Sequence, residues 1–241
     1  MKSADNLLSL PEVAVNFALT WDGRVSTRNR TRADFSSSRD KHRLVEIRAS
    51  GDALLVGRAT QEIEQMRMKI GDPALQAARV ARGLPPEPLR VVVSGSGLID
   101  PESPLFHTEG SPIVIFSTTK MPEIARAALQ GKAALHLSDG PLDLRAVLQT
   151  LRSDYNVQRV VCEGGPTLLR SLLEKNLVDE INVTFCPRIF GGEDAPSLTG
   201  GPGAFLPAAV ACRLEAMETV GDECFARYRV INPPCAVTLP A

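Results

Sequence analysis

Four short segments of this 241-residue chain carry residue types that could do chemistry, and each belongs to or follows an apolar run that reads as a strand. The first is N-F-A-L-T-W-D-G-R at 16–24, where Asn16, Ala18 and Thr20 fall on one face of an alternating strand and lead to Asp22. That face reads as a substrate-facing edge, although Asp22-Gly23 alone is also an ordinary turn dipeptide. The second, L-L-V-G-R-A-T at 54–60, ends a buried strand in Gly57 and opens a helix with Arg58 and Thr60. Unpaired backbone N–H groups, the Thr60 hydroxyl and the Arg58 charge together suit a phosphate. The third, R-V-V-V-S-G-S-G at 90–97, either offers Ser94 and Ser96 to a ribose or phosphate or is a plain tight turn. The fourth, V-V-C-E-G-G-P-T-L-L at 160–169, is the most informative. Gly164 and Gly165 after a strand, then Pro166 in a first helical turn with Thr167 beside it, make a helix N-terminus suited to a pyrophosphate. Glu163 at the strand end would be repelled by that anion, so it is expected to face the substrate. No G-x-G-x-x-G follows any strand, so a dinucleotide would be held differently from the usual fingerprint.

These segments need a scaffold, and the pattern around them supplies one. Short Val- and Ile-rich runs alternate with helical stretches, which implies an α/β fold with a largely parallel sheet whose ligands sit at the C-terminal strand ends. Strands are expected at 13–20, 53–56, 90–93, 112–116, 133–137 and 159–162, and helices at 37–48, 122–129 and 142–151. Ser37 or Ser38 would cap the first helix. Strands at 180–186, 213–220 and 224–231 follow, the last two joined through Gly221 and Asp222, so an antiparallel hairpin should close a mixed sheet. The Gly- and Pro-rich stretch 190–207 reads as an ordered loop over the sheet edge, and 69–88 as irregular. One domain is expected over 13–232, with an extension at 1–12 and a tail at 233–241.

Composition narrows the classes of function. Hydrophobic residues make up 44% of the chain and charged residues 23%, which is wrong for a disordered tail or a fibre. With 27 basic against 28 acidic residues, nothing draws the chain to nucleic acid or to anionic membrane. No apolar run approaches a membrane span, and the N-terminus does not read as a secretory signal, so a cytoplasmic location is expected. The five cysteines are scattered and read as buried apolar residues. His42, His107 and His136 have no ligand-like spacing, so no metal site is expected. Trp21 reads as a packing residue or pocket wall rather than a base-stacking platform.

The set W-D-G-R, G-R-A-T, R-V-V-V-S, G-D-P-A-L, E-G-G-P-T-L and N-L-V-D-E-I resembles the reductase domain of the riboflavin-biosynthesis deaminase/reductase. The resemblance runs in order over nearly the whole chain. It implies a dihydrofolate-reductase-like three-layer fold and NADPH-dependent reduction of a ribosylaminopyrimidine 5′-phosphate, ribosyl to ribityl, in either its deaminated or its diamino form. Gly57, Arg58 and Thr60, with Gly164, Gly165, Pro166 and Thr167, would hold the NADPH phosphates. Ser94 and Ser96 would lie by the adenosine end and Ala18 under the nicotinamide. Asn16, Thr20, Asp22 and Ser36 would line the substrate site, with Asp72 and Glu163 as the acid/base pair. Thr20-Trp21 stands where Ser-Leu is commoner, and the arginine expected after Asp72-Pro73 is displaced, leaving Arg79 or Arg82 for the substrate phosphate. Relatives commonly form homodimers, which the strand at 180–186 and the closing hairpin could support by sharing a sheet edge. The zinc motif of the deaminase half does not occur in this sequence. A dihydrofolate reductase, another small-carbonyl reductase, or a nucleotide-binding protein without catalysis are the competing readings.

Overall fold

In a computed structural model, residues 9–27, 29, 35–200 and 206–231 are described. The extension up to residue 8, the tail 233–241 and residues 201–205 of the Gly- and Pro-rich loop lie outside the described residues. Nine strands form: β1 (Glu12–Thr20), β2 (Ala53–Gly57), β3 (Leu89–Ser94), β4 (Ile113–Thr118), β5 (Ala134–Ser138), β6 (Arg159–Cys162), β7 (Glu180–Cys186), β8 (Cys212–Val220) and β9 (Glu223–Val230). The α-helices are α1 (Ser38–Ser50), α2 (Arg58–Ile63), α3 (Pro73–Ala81), α4 (Glu123–Leu129), α5 (Leu144–Asp154) and α6 (Pro166–Glu174).

Contacts divide the chain into two compact units, Val45–Val161 with the N-terminal residues, and Glu12–Leu44 with Cys162–Ala241. In the first unit the strands follow the order β5, β4, β3, β2, β6, and β2 to β5 pair in parallel. The Val, Ile and Leu side chains of β2 and β4, and the valines of β3, are buried, as a parallel sheet covered on both faces requires, while those of the outer strand β5 are half-buried. Leu54, Val56, Val92, Ile113, Ile115 and Val161 form one core cluster with Met68, Ile99, Leu105, Met121 and Leu129.

In the second unit the order is β1, β7, β9, β8, with β1 and β7 parallel and the β9 pairings antiparallel. The hairpin turns at Gly221, whose φ of +59° is a conformation that glycine adopts without strain. Helix α6 buries Leu168, Leu169, Leu172 and Leu173 as one stripe, each contributing roughly 1.5–3 kcal/mol.

Two expectations are corrected. The stretch 69–88 is not all irregular, because α3 runs through it. Asp72 caps this helix and Pro73 starts it, a strong N-terminal signal that the later Pro85, Pro86 and Pro88 obscure. Strand β7 offers no free edge, since β1 and β9 flank it; the outer strand is β8, exposed along its whole length. The cysteines are free thiols of mixed setting: Cys162 and Cys186 buried, Cys224 half-buried and Cys212 exposed, with Cys235 outside the described residues. Burial pushes the thiols of Cys162 and Cys186 up to about 12, so both stay protonated and inert at neutral pH.

Candidate functional site

The turn after β1 is held at every residue. The buried Thr20 hydroxyl donates to Asp22 Oδ1 at 2.6 Å and accepts from the Arg24 N–H at 2.9 Å. Gly23 closes the turn with its N–H on the Thr20 carbonyl at 2.8 Å, at a φ of +76°. Asp22 also accepts from the N–H groups of Phe190 at 3.1 Å and Gly191 at 2.7 Å. These bonds, led by the Thr20 hydroxyl, lower its pKa to about 2. Trp21 N–H donates to the Arg188 carbonyl at 2.7 Å, and Arg24 Nη1 donates to the Ala195 carbonyl at 2.7 Å. The W-D-G-R turn and the loop after β7 are therefore stapled together, with Asp22 as the central acceptor. Trp21 itself is 73% exposed, which overturns its reading as a packing residue. Asn16 and Ala18 lie half-buried on the same face of β1 as Thr20.

Beside β1, the fourth segment turns sharply. Gly164 has a φ of +95°, and a Cβ there would stand 3.0 Å from two ring atoms of Phe17. A larger residue here would meet both an unfavourable conformation and the ring. The Gly164–Gly165 peptide is cis. Gly165 is the N-cap of α6 and offers no side-chain acceptor, and Pro166 fills the first turn. The helix thus starts without the usual oxygen over its N–H groups, and Thr167 is exposed beside them. Glu163 is half-buried immediately before the turn.

In the first unit, register sets Gly57 against Val93, so the turns that follow β2 and β3 are neighbours at the C-terminal edge. Gly57 also starts its helix without a side-chain cap. Arg58 pairs with Glu62 at 2.7 Å, and Glu62 in turn accepts from the Asp100 N–H at 3.1 Å. Ser94 is buried and accepts from the Gly97 N–H at 3.0 Å, while Ser96 is exposed. A Cβ on Gly97 would meet Met121 at 2.5 Å, so this turn too is built around a glycine.

The arginines proposed for a phosphate have other duties. Arg79 is fully buried, its Nη1 donating to the carbonyls of Ala49 and Gly51 and its Nε to that of Pro85 at 2.9 Å. Arg82 Nη2 donates to the Ala49 carbonyl at 2.9 Å. Together they serve the unpaired carbonyls at the C-terminal end of α1, where the helix dipole favours cations. Arg79 cannot reach an external anion, which corrects that assignment. Asp72 Oδ1 accepts from Ala74 N–H at 2.9 Å and Leu75 N–H at 3.1 Å, the geometry of a helix cap.

Ser36 is half-buried, but its neighbour makes the contacts. Ser37 caps α1 with its hydroxyl oxygen and also donates that hydroxyl and its backbone N–H to Glu223, a buried carboxylate. Glu223 is a polar anchor that sequence reasoning missed. It lies 186 positions from its partner, and only the hairpin signal at Gly221 hinted at its location.

Comparison with known proteins adds to this geometry. Residues 11–225 match the model of the RibD C-terminal domain. The 2,5-diamino-6-ribosylamino-4(3H)-pyrimidinone 5′-phosphate reductase of Archaeoglobus fulgidus is 31% identical over 212 residues, covering 88% of this chain and 94% of that protein. The enzyme of the same name from Methanothermobacter thermautotrophicus is 30% identical over 221 residues, covering 91% and 98%. Among solved structures, a pyrimidine reductase-like protein from Corynebacterium diphtheriae is similar with a TM-score of 0.77 at 19% identity, over 96% of each chain. Acinetobacter baumannii RibD is similar with a TM-score of 0.74 at 17% identity, over 92% of this chain and 59% of that one. These two likenesses show a shared fold.

Proposed function

The chain belongs to the RibD C-terminal domain family, and on that premise we propose that it is a 2,5-diamino-6-ribosylamino-4(3H)-pyrimidinone 5′-phosphate reductase of riboflavin biosynthesis. The observation that carries this reading is similarity over nearly the full length of two relatives that bear that name. It also favours the diamino form of the substrate over the deaminated uracil form. The reaction converts the ribosyl group to ribityl.

The hydride donor in this reading is a nicotinamide dinucleotide, specifically NADPH, which when bound supplies the hydride to C1′ of the opened sugar. The residues present suit such a ligand. Each unit has a glycine turn that opens a helix no side chain caps, Gly57 in the first and Gly164-Gly165 in the second, and each leaves backbone donors for phosphate oxygens. Arg58, Thr60, Pro166 and Thr167 belong to the same turns, and Ser94 and Ser96 to the neighbouring one. Ala18 lacks the side-chain bulk that would block a flat ring laid on β1.

The chain's own part is positioning and proton delivery. Asn16 and Thr20 line the substrate side of β1, with Asp22 fixing the turn and Ser36 beside the α1 cap. Glu163 is the acid/base residue, delivering a proton to the nitrogen or oxygen that receives charge as the hydride arrives. Asp72, whose Oδ1 already accepts two backbone donors, acts as a hydrogen-bond partner to the substrate. The protein works in the cytoplasm as a homodimer, a reading supported by β8, whose outer edge exposes Leu214 and Met217. Among the described residues no helix is long and apolar enough to cross a membrane.

NADPH oxidation followed by absorbance tests the reading. The ribosylaminopyrimidine phosphate should drive it, faster in the diamino form than in the uracil form, and dihydrofolate should not. Oxidation driven by dihydrofolate alone would contradict it.

A further inference from the structure

Trp21 is the only tryptophan of the chain and is 73% exposed. A side chain of this size is ordinarily well buried, because its rings contribute more to packing than almost any other group. Nothing about its turn is loose. Thr20, Asp22, Gly23 and Arg24 are all bonded, and the Trp21 N–H is itself fixed to the Arg188 carbonyl at 2.7 Å. The fold thus spends many bonds to hold a large indole in water.

Arg188 stands directly across that bond and is exposed. Among the described residues its guanidinium donates only to the carbonyl of its chain neighbour Pro187, at 3.2 Å. Ile189, the next residue, is also 73% exposed. The two segments follow the C-terminal ends of adjacent parallel strands, where Thr20 pairs with Cys186. Open α/β sheets present ligands at such ends. Arg188 is exposed, whereas Arg79 is buried under backbone carbonyls.

An exposed indole and an exposed guanidinium, on two turns joined by a backbone bond, match a molecule with an aromatic ring at one end and a phosphate at the other. Rings stack on indole with little regard to their hydrogen-bonding edge, and the planar guanidinium grips phosphate oxygens in pairs. We propose that Trp21 and Arg188 recognise the substrate, the indole taking the pyrimidinone ring and the guanidinium taking the 5′-phosphate. This rests on the reading of the chain as a reductase of that phosphate.

The test compares wild type with Trp21→Phe, Trp21→Ala, Arg188→Lys and Arg188→Ala. Each is assayed for NADPH oxidation with the diaminopyrimidinone ribosyl phosphate and with its dephosphorylated form. Tryptophan emission is followed separately as the phosphate compound is added without NADPH. Binding should quench the emission of the lone indole. Arg188→Ala should raise KM for the phosphate compound roughly ten-fold or more and leave that for the dephosphorylated form unchanged, with Arg188→Lys between. Trp21→Ala should raise both KM values about ten-fold, Trp21→Phe should recover most of the loss, and kcat should stay within a few-fold.

Unchanged emission in wild type, with KM within about two-fold in both alanine variants, would overturn the proposal while leaving the reductase reading intact. A Trp21→Ala variant that alters sedimentation but not KM would overturn it too, by assigning the indole to contact with a second copy. Quenching without any wild-type turnover would sink the reductase reading and keep the binding pair; neither quenching nor turnover would sink both.

Discussion

The two acidic candidates stand at different kinds of position. Asp72 gives one oxygen to the start of α3, whereas Glu163 stands at the end of β6 before the glycine turn. Replacing Glu163 by Gln should lower kcat by about 10²–10⁴-fold and leave NADPH affinity within a few-fold, as stopped-flow reduction and direct titration would show. Asp72→Ala should instead cost about 1 kcal/mol of stability in denaturant melts, the ordinary loss of a cap. Asp22 gives a pH signature. Its pKa falls from 3.8 to about 2 on folding, so its stabilising contribution is complete above about pH 4 and is lost as the pH falls through about 2. Thermal midpoints of Asp22→Asn should therefore depend less on pH across that window than those of wild type. Gly164→Ala should destabilise by about 1–3 kcal/mol, because the new Cβ meets both a positive φ and the Phe17 ring; Phe17→Leu in the same background should return part of the loss.

At the scale of elements, the strands were legible because short β-branched runs bounded by Gly, Pro or polar residues have few alternatives, and β6 and β7 begin and end where the runs do. The glycine turns were legible for a related reason, since a strand followed by Gly and a helix start leaves backbone donors exposed. Helix α3 was not, although Asp72-Pro73 signalled its first turn, because the prolines that follow it bias the window toward loop. The duties of Arg79 and Glu223 were hidden more deeply. Each binds groups distant in sequence, and no local pattern distinguishes an arginine that serves a helix C-terminus from one that awaits a phosphate. Arg79→Met should cost about 3–5 kcal/mol in urea melts, from carbonyls left unpaired and a packed site disturbed. If the variant can be assayed, its KM for the substrate phosphate should match wild type.

For the whole molecule, the outer strand and the reaction carry the remaining consequences. Lysine at both Leu214 and Met217 should turn a homodimer into monomers in sedimentation velocity, since a charged edge strand resists pairing. The central claim is chemical, and isotope transfer tests it most directly. The protein would be given the diaminopyrimidinone ribosyl phosphate and NADPH carrying deuterium at C4 of the nicotinamide on the transferred face, and the product examined by mass spectrometry and NMR. The account predicts a ribitylamino product with a single deuterium at C1′. A product that retains its ribosyl group, or that gains no deuterium at C1′ with either face labelled, would contradict it.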